Sequence, residues 1–373
     1  MRRVVSPSRL PSIPRISIPH PVTRLSLPLR LTLDGEALVA NWRRLAAASG
    51  RAACGAAVKA DGYGLGAREV VRRLAAAGCR DFFVATWAEA EALGPLPMEL
   101  NLSVLHGARE ADMAIALEGT ARPVLNTAAS VARWKAEGGG RPCDVMIDTG
   151  MNRLGLSPEE ARSGLLDGLA IETLMSHLAC ADERDNPMNE QQLFIFRALR
   201  GMIPAQRYSL ANSAGIGLGQ RYVFGLTRPG IALYGGVPHP DDAEEVRATR
   251  PVATIEAQVL QVRDVAGGAT VGYGATFTAP AEMRVAILNI GYADGYLRLF
   301  GHEKGFAWAG DTRCPVLGRV SMDLVAVGIG PARVGEGDWL RIDYDLPRQS
   351  AATGLTQYEL LTLLGRRYQR RWI

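Results

Sequence analysis

Eight short apolar runs recur between residues 54 and 228, each separated from the next by helix-like or turn-rich sequence. They are CGAAV from Cys54, DFFVA from Asp81, LNLSVL from Leu100, RPVLN from Arg122, CDVMI from Cys143, ETLMS from Glu172, RYSLA from Arg207 and FGLTR from Phe224. Segments such as REVVRRLAAAG and EQQLFIFRALRGM lie between them. Parallel strands cannot be joined by tight turns; they need a crossover of a dozen or more residues, usually a helix. The alternation therefore predicts a parallel sheet, and eight units predict a sheet closed into a barrel. An open doubly wound sheet is the structural alternative.

Ahead of the first run, Asp34 is placed to cap a helix that carries Leu38, Trp42 and Leu45 on one face and ends near Gly50. After about residue 248 the texture changes. ATIEAQVLQV, MRVAILNI, RCPVLGRV, MDLVAVGI and WLRIDYDL follow one another with Gly and Pro turns and almost no helix between them. One helix closes the chain, with Thr356 and Glu359 at capping-box spacing before Leu360, Leu361 and Leu364. The expected fold is α/β: an N-terminal (β/α)8 TIM-like barrel over residues 31–247 and a mostly-β domain over 248–373. The first strand of the barrel unit is free to pair with the β domain instead.

Residues 1–30 read differently. Six arginines alternate with six prolines, and no acidic residue appears before Asp34. No apolar h-region is present, so a secretory signal is not expected, and the prolines oppose an amphipathic targeting helix. The segment is expected to be a disordered basic extension or the product of an upstream start codon. No apolar stretch approaches the roughly 18 residues of a membrane span. The net charge of +4 is modest, with no basic stripe interleaved with aromatics, so nucleic acid is not an expected partner. The five cysteines are scattered without a CxxC pair, which predicts neither a disulfide framework nor a zinc site and fits a reducing cytoplasm.

Three places in this scaffold draw attention on chemical grounds. Lys59 leaves the first apolar run for a glycine-rich turn, AVKADGYGLG. Phosphate sites of eight-stranded barrels often lie after strands seven and eight. There ANSAGIG offers the Ser213 hydroxyl and RPGIALYGG offers the amides of Gly230 and Ile231. Arg153, in DTGMNRLG after the fifth strand, is placed to receive a carboxylate. By spacing alone, Arg228 reads as a surface arginine at a helix start, His177 as a core histidine, and Tyr273 in TVGYGATFTAP as a turn tyrosine.

From about Leu31 onward the chain resembles the alanine racemase family. The resemblance is carried, in family order, by AVKADGYGLG, DTGMNRLG, SHLACADE, ANSAG, RPGIALYG, VGYGATF, GYADGY and GRVSMD. It implies that Lys59 holds pyridoxal 5'-phosphate (PLP) as a Schiff base, and that Ser213, Gly230, Ile231, Tyr63 and Tyr368 hold the phosphate. It makes Arg228 the partner of the pyridine nitrogen; an arginine keeps its proton, so the ring stays unprotonated and is a weaker electron sink. His177 is then expected near the ring and the catalytic tyrosine. The two bases for alanine are Lys59 on the D face and Tyr273 on the L face, the latter from the other subunit of a homodimer. Arg153 and the Met322 amide would bind the α-carboxylate, and Arg298, Arg319 and Asp182 would line the substrate entrance. In bacteria the family supplies D-alanine for peptidoglycan.

At pH 7 an unperturbed lysine is neutral in ~1 molecule in 2,500 and a tyrosine is ionised in ~1 in 1,000, each shortfall costing about 4 to 5 kcal/mol of barrier. The site is therefore expected to depress both pKa values or to share protons, with His177 able to do the latter. Two positions depart from the family pattern. Met146 stands where some members carry a carbamylated lysine that orients the carboxylate-binding arginine, and Ser209 stands where some place a histidine beside the pyridine-bound arginine. A PLP decarboxylase is disfavoured because no cysteine lies in a suitable motif, and a barrel-only PLP carrier because the β domain and Tyr273 are present. A racemase preferring serine or another amino acid stays open, since pocket size is not legible here.

Overall fold

The computed structural model describes residues 26–239 and 249–373. Most of the basic extension and the expected domain boundary at 247/248 therefore lie outside the described residues. Among the described residues no helix is long and apolar enough to cross a membrane.

The barrel's first strand is split. Ala53–Cys54 pairs with Leu226–Thr227, and Ala56–Ala57 pairs with Asp81–Val84. The break is at Gly55, where a Cβ would lie 2.8 Å from the Asp81 carbonyl oxygen, so only glycine lets the two backbones come this close. Strands Asn101–Val104, Arg122–Leu125, Cys143–Met146, Ile171–Met175 and Arg207–Ser209 continue the sheet in parallel. The ring closes through the short eighth strand. Gly225 N–H donates to Tyr208 O and Arg228 N–H to Ala211 O on one side, and Gly55 N–H donates to Thr227 O on the other.

The inward faces form layers because side chains two residues apart share a face. Phe83, Val124, Met146, Met175 and Leu226 make an apolar layer. One step toward the strand starts, Asp81, Arg122, Asp144 and Thr173 make a polar floor. Arg207 pairs with Asp81 at 2.7 Å, Ser103 donates to Asp144 at 2.6 Å, and Arg122 stands 3.6 Å from the same fully buried carboxylate. Burial pushes the Asp144 pKa up, against the opposing pull of Arg122 and the Ser103 hydroxyl. The floor seals the barrel at the end opposite the loops that carry the chemistry.

Helix Gly35–Ala48 begins as the sequence predicts. Asp34 accepts from the Ala37 amide, and Leu38, Trp42 and Leu45 are buried. Trp42 Nε1 donates to Cys54 O, tying the helix to the first barrel strand. The strand before it, Leu29–Leu33, belongs to the other domain. It lies between Ala253–Val265, antiparallel, and Gln369–Trp372, parallel. The second domain is otherwise an antiparallel sheet in which Met283–Leu288 pairs both with Val325–Gly328 and with the far half of Ala253–Val265, so the sheet curls on itself. The helix with the Thr356–Glu359 capping box forms over Gln357–Thr362, but it does not end the chain: the strand Gln369–Trp372 does.

Candidate active site

Lys59 sits at the C-terminal mouth of the first barrel strand and opens a turn in which Ala60, Asp61, Gly62 and Tyr63 all have φ between 53° and 64°. Three of these are not glycine, and each such residue costs roughly 1–2 kcal/mol in the left-handed region. Side-chain acceptors hold the turn. Glu89 Oε1 accepts from the Ala60 amide at 2.9 Å, and Asp61 Oδ1 accepts from the Ala67 amide at 2.8 Å. The reversed handedness swings Tyr63 inward from a position four residues past the lysine.

A cleft of about 220 Å³ opens over the apolar layer, lined by Lys59, Met146, Asp148, Arg153, His177 and Arg228 among others. Arg228 is buried. Its Nε donates to Ser209 Oγ at 2.8 Å and a terminal nitrogen donates to the Ser176 carbonyl. Ser209 thus fixes the guanidinium with a neutral partner. Burial lowers the Arg228 pKa to about 10, which leaves it protonated at neutral pH. Burial, then Arg228, Arg153 and Lys59, push His177 down to about 3, so it is neutral. Burial and the Arg153 charge hold Lys59 below the ordinary lysine value, with Glu89 pulling the other way and Arg228 adding to the depression. Desolvation and two nearby cations thus raise the neutral fraction of the amine.

Two residues past Arg228 lies a cradle. Ser213 Oγ accepts from the amides of Gly230, at 2.9 Å, and Ala232, at 3.3 Å; the intervening Ile231 amide does not join them. A Cβ at Gly230 would lie 2.1 Å from the Tyr63 hydroxyl, so Tyr63 reaches this backbone only because residue 230 is glycine. Tyr63 is buried and stacks on Tyr234 at 4.6 Å. The Tyr358 ring stands 6.1 Å from that of Tyr63, on the first turn of the capped helix.

Tyr368 must be corrected. It is buried beneath the β domain, and its hydroxyl donates to the Asp294 carbonyl at 2.9 Å, away from the cradle. Tyr358 is the residue beside Tyr63, and sequence reasoning missed it. The available signal was the capping box two residues before it, which fixes the face that the first helical turn presents. Tyr368 drew the assignment instead, but its backbone borders the strand that pairs with Leu29–Leu33.

Other expected residues lie outside the cleft of this single chain. Tyr273 is 72% exposed, in a short 3-10 turn that borders a separate groove with Arg319. Met322 is also exposed. Arg298 packs its guanidinium over Tyr292 at 5.3 Å, and Asp182 is exposed and raises the Tyr358 pKa, second to burial.

Family models for the alanine racemase N-terminal and C-terminal domains match residues 33–238 and 252–372. The chain belongs to the alanine racemase family. It is 41% identical to an alanine racemase of Methylobacterium nodulans over 92% of this chain and 96% of that protein. It is 40% identical to a biosynthetic alanine racemase of Agrobacterium fabrum over 93% of this chain and 94% of that protein. The fold matches the crystal structure of the Bartonella henselae alanine racemase, which has covalently bound pyridoxal phosphate. The TM-score is 0.86 at 34% identity, covering 93% of this chain and all of that one.

The residues present fit such a cofactor. An amine, a buried guanidinium and a glycine-floored cradle with hydroxyls and backbone amides follow one another along the mouth of the barrel. Among the described residues no cluster of histidine, cysteine and carboxylate could hold a metal.

Proposed function

We propose that this alanine-racemase-family chain interconverts L- and D-alanine with PLP. Lys59 is the covalent anchor. Arg228 faces the ring nitrogen, and Ser213, Gly230, Ile231, Tyr63 and Tyr358 receive the phosphate, with Tyr358 taking the place first given to Tyr368. The observation that carries this reading is the depressed Lys59 amine sharing a cleft with buried Arg228, next to the cradle at Gly230.

Bound PLP supplies the electron withdrawal that acidifies the substrate Cα–H. The chain supplies everything else. Arg153 in the cleft and the Met322 amide, which lies outside it and would come from a second copy as Tyr273 does, orient the α-carboxylate. Lys59 exchanges a proton with Cα on the D face, and Tyr273 does so on the L face. Tyr273 is exposed on the chain that carries it and lies outside that chain's cleft, which supports its delivery from a second copy in a homodimer. Neutral His177 can relay a proton between these groups without adding a further cation beside Arg228, Arg153 and Lys59. Arg228 is held by two neutral groups, the Ser209 hydroxyl and the Ser176 carbonyl; a guanidinium at the ring nitrogen would leave that nitrogen unprotonated and would limit how much electron density the ring accepts. The cytoplasmic product feeds peptidoglycan synthesis.

The test is incubation of the purified chain with L-alanine and chiral analysis, together with borohydride reduction and peptide mapping. D-alanine formation and a reduced PLP adduct on Lys59 are expected. An adduct on another lysine, or faster turnover of L-serine, L-lysine or L-arginine, overturns the reading.

A further inference from the structure

We infer that Glu89 is the positioning residue of Lys59: its carboxylate clamps the left-handed turn that aims the amine into the cleft and holds a negative charge behind that turn. The inference rests on Lys59 being the cofactor-bearing amine.

The geometry is a two-point bridge. Glu89 Oε1 accepts from the Ala60 amide at 2.9 Å, and Oε2 accepts from the Ala85 amide at 2.7 Å. Ala60 is the residue after Lys59, and Ala85 is the residue after the second barrel strand. One carboxylate therefore ties together the mouths of two neighbouring strands. Ala60 is also the first residue of this turn with positive φ, so the clamp acts where the backbone leaves its preferred region. Glu89 lies in the first turn of helix Trp87–Leu93, where its backbone amide donates to the Thr86 cap and its carboxylate is left free to span the two strand mouths.

Only a carboxylate suits this place. Two N–H donors need two acceptor oxygens, and a glutamine would turn an NH2 group toward one of them. The charge matters as well as the shape. The groups around the amine are Arg153, Arg228, His177, His106 and Asp148 in the cleft, with Glu89 behind the turn. The Asp148 oxygens are taken by the amides of Gly150 and Arg153. Glu89 opposes burial and the two arginines, and so limits the depression of the amine.

The test uses the full-length, PLP-loaded protein and four forms: wild type, Glu89→Gln, Glu89→Asp and Thr86→Ala. Three quantities are read: the acid limb of kcat in the D-to-L direction, PLP retained after gel filtration, and Tm. A nearby opposite charge moves a titrating group's pKa by about one unit or more, and Glu89 is the negative charge acting on Lys59 against the arginines. Glu89→Gln is expected to move the acid limb down by about one pH unit, with kcat and PLP retention reduced. Thr86→Ala, which weakens the helix without touching the carboxylate, is expected to lower Tm and leave the limb in place. Glu89→Asp keeps the charge but is too short to span both amides. It is expected to hold the limb and lose PLP retention, and it decides the matter if Glu89→Gln does not fold. An unmoved limb in Glu89→Gln, an equal shift in Thr86→Ala, or full PLP retention in Glu89→Asp overturns the proposal. Borohydride mapping of the wild type separates these outcomes from failure of the underlying reading, because an adduct away from Lys59 condemns that reading whatever the Glu89 variants do.

Discussion

Gly230→Ala tests the cradle by adding one methyl group. The new Cβ would lie 2.1 Å from the Tyr63 hydroxyl oxygen and 2.9 Å from the ring carbon that bears it. To reach an ordinary contact of ~3.5 Å the hydroxyl must retreat by about 1.4 Å. Tyr63 has little room to do so. It is 5% exposed and stacked on Tyr234, whose own hydroxyl is tied to the Ala57 carbonyl at 2.8 Å. The displacement would remove a hydroxyl donor from the phosphate. A hydrogen bond to a charged group contributes about 1.5–3 kcal/mol, so the PLP Kd should rise roughly 10- to 150-fold. The assay is an absorbance titration of PLP into protein stripped of cofactor. Tyr63→Phe and the double variant complete a cycle. Because the methyl acts through the hydroxyl, the two single losses should not add. Wild-type PLP affinity in Gly230→Ala, or full additivity in the double variant, refutes the steric account.

Other consequences follow from the same geometry. Tyr273→Phe should lower racemisation by about 10²- to 10⁴-fold while the absorbance of lysine-bound PLP is retained; surviving activity would end the two-base reading. His177 has a folded-state pKa of about 3 against an ordinary 6.5. Between these values the unfolded chain binds the extra proton, so stability falls as pH drops through this window. Urea unfolding at several acid pH values should show that slope, and His177→Asn should flatten it. Asp144→Ala strands Arg122 in the barrel floor without its carboxylate. It should cost about 3–5 kcal/mol in denaturant unfolding, and Arg122→Met in the same chain should recover part of the loss.

Much of the scaffold was legible because its signals are local. Asp34 and the Thr356–Glu359 pair cap helices through bonds spanning three residues, and the sequence displays both partners together. The eight apolar runs mark the barrel strands because each is short, mostly buried and bounded by turns. The meeting of the two loops proposed to hold phosphate was legible for another reason. A barrel places its seventh and eighth loops side by side, so Ser213 and Gly230 could be paired before any contact was known. The floor escaped notice because Arg122 and Asp144 look, in sequence, like the polar ends of two unrelated strands. The Lys59 turn escaped because no residue type announces four successive positive φ values, three of them outside glycine.

The sequence by itself determined the class of fold, the order of the motifs and the place of Lys59 at a strand mouth. All of these depend on residue type and on spacing along the chain. The tertiary structure decided that Leu29–Leu33 serves the β domain and not the barrel, because its partners lie more than 200 residues away and leave no local mark. It also decided between two tyrosines ten residues apart. Tyr358 and Tyr368 have the same chemistry, but helix Gln357–Thr362 turns the first toward Tyr63 and the final strand buries the second against Asp294. That choice rests on direction in space, which sequence spacing does not carry across a domain boundary.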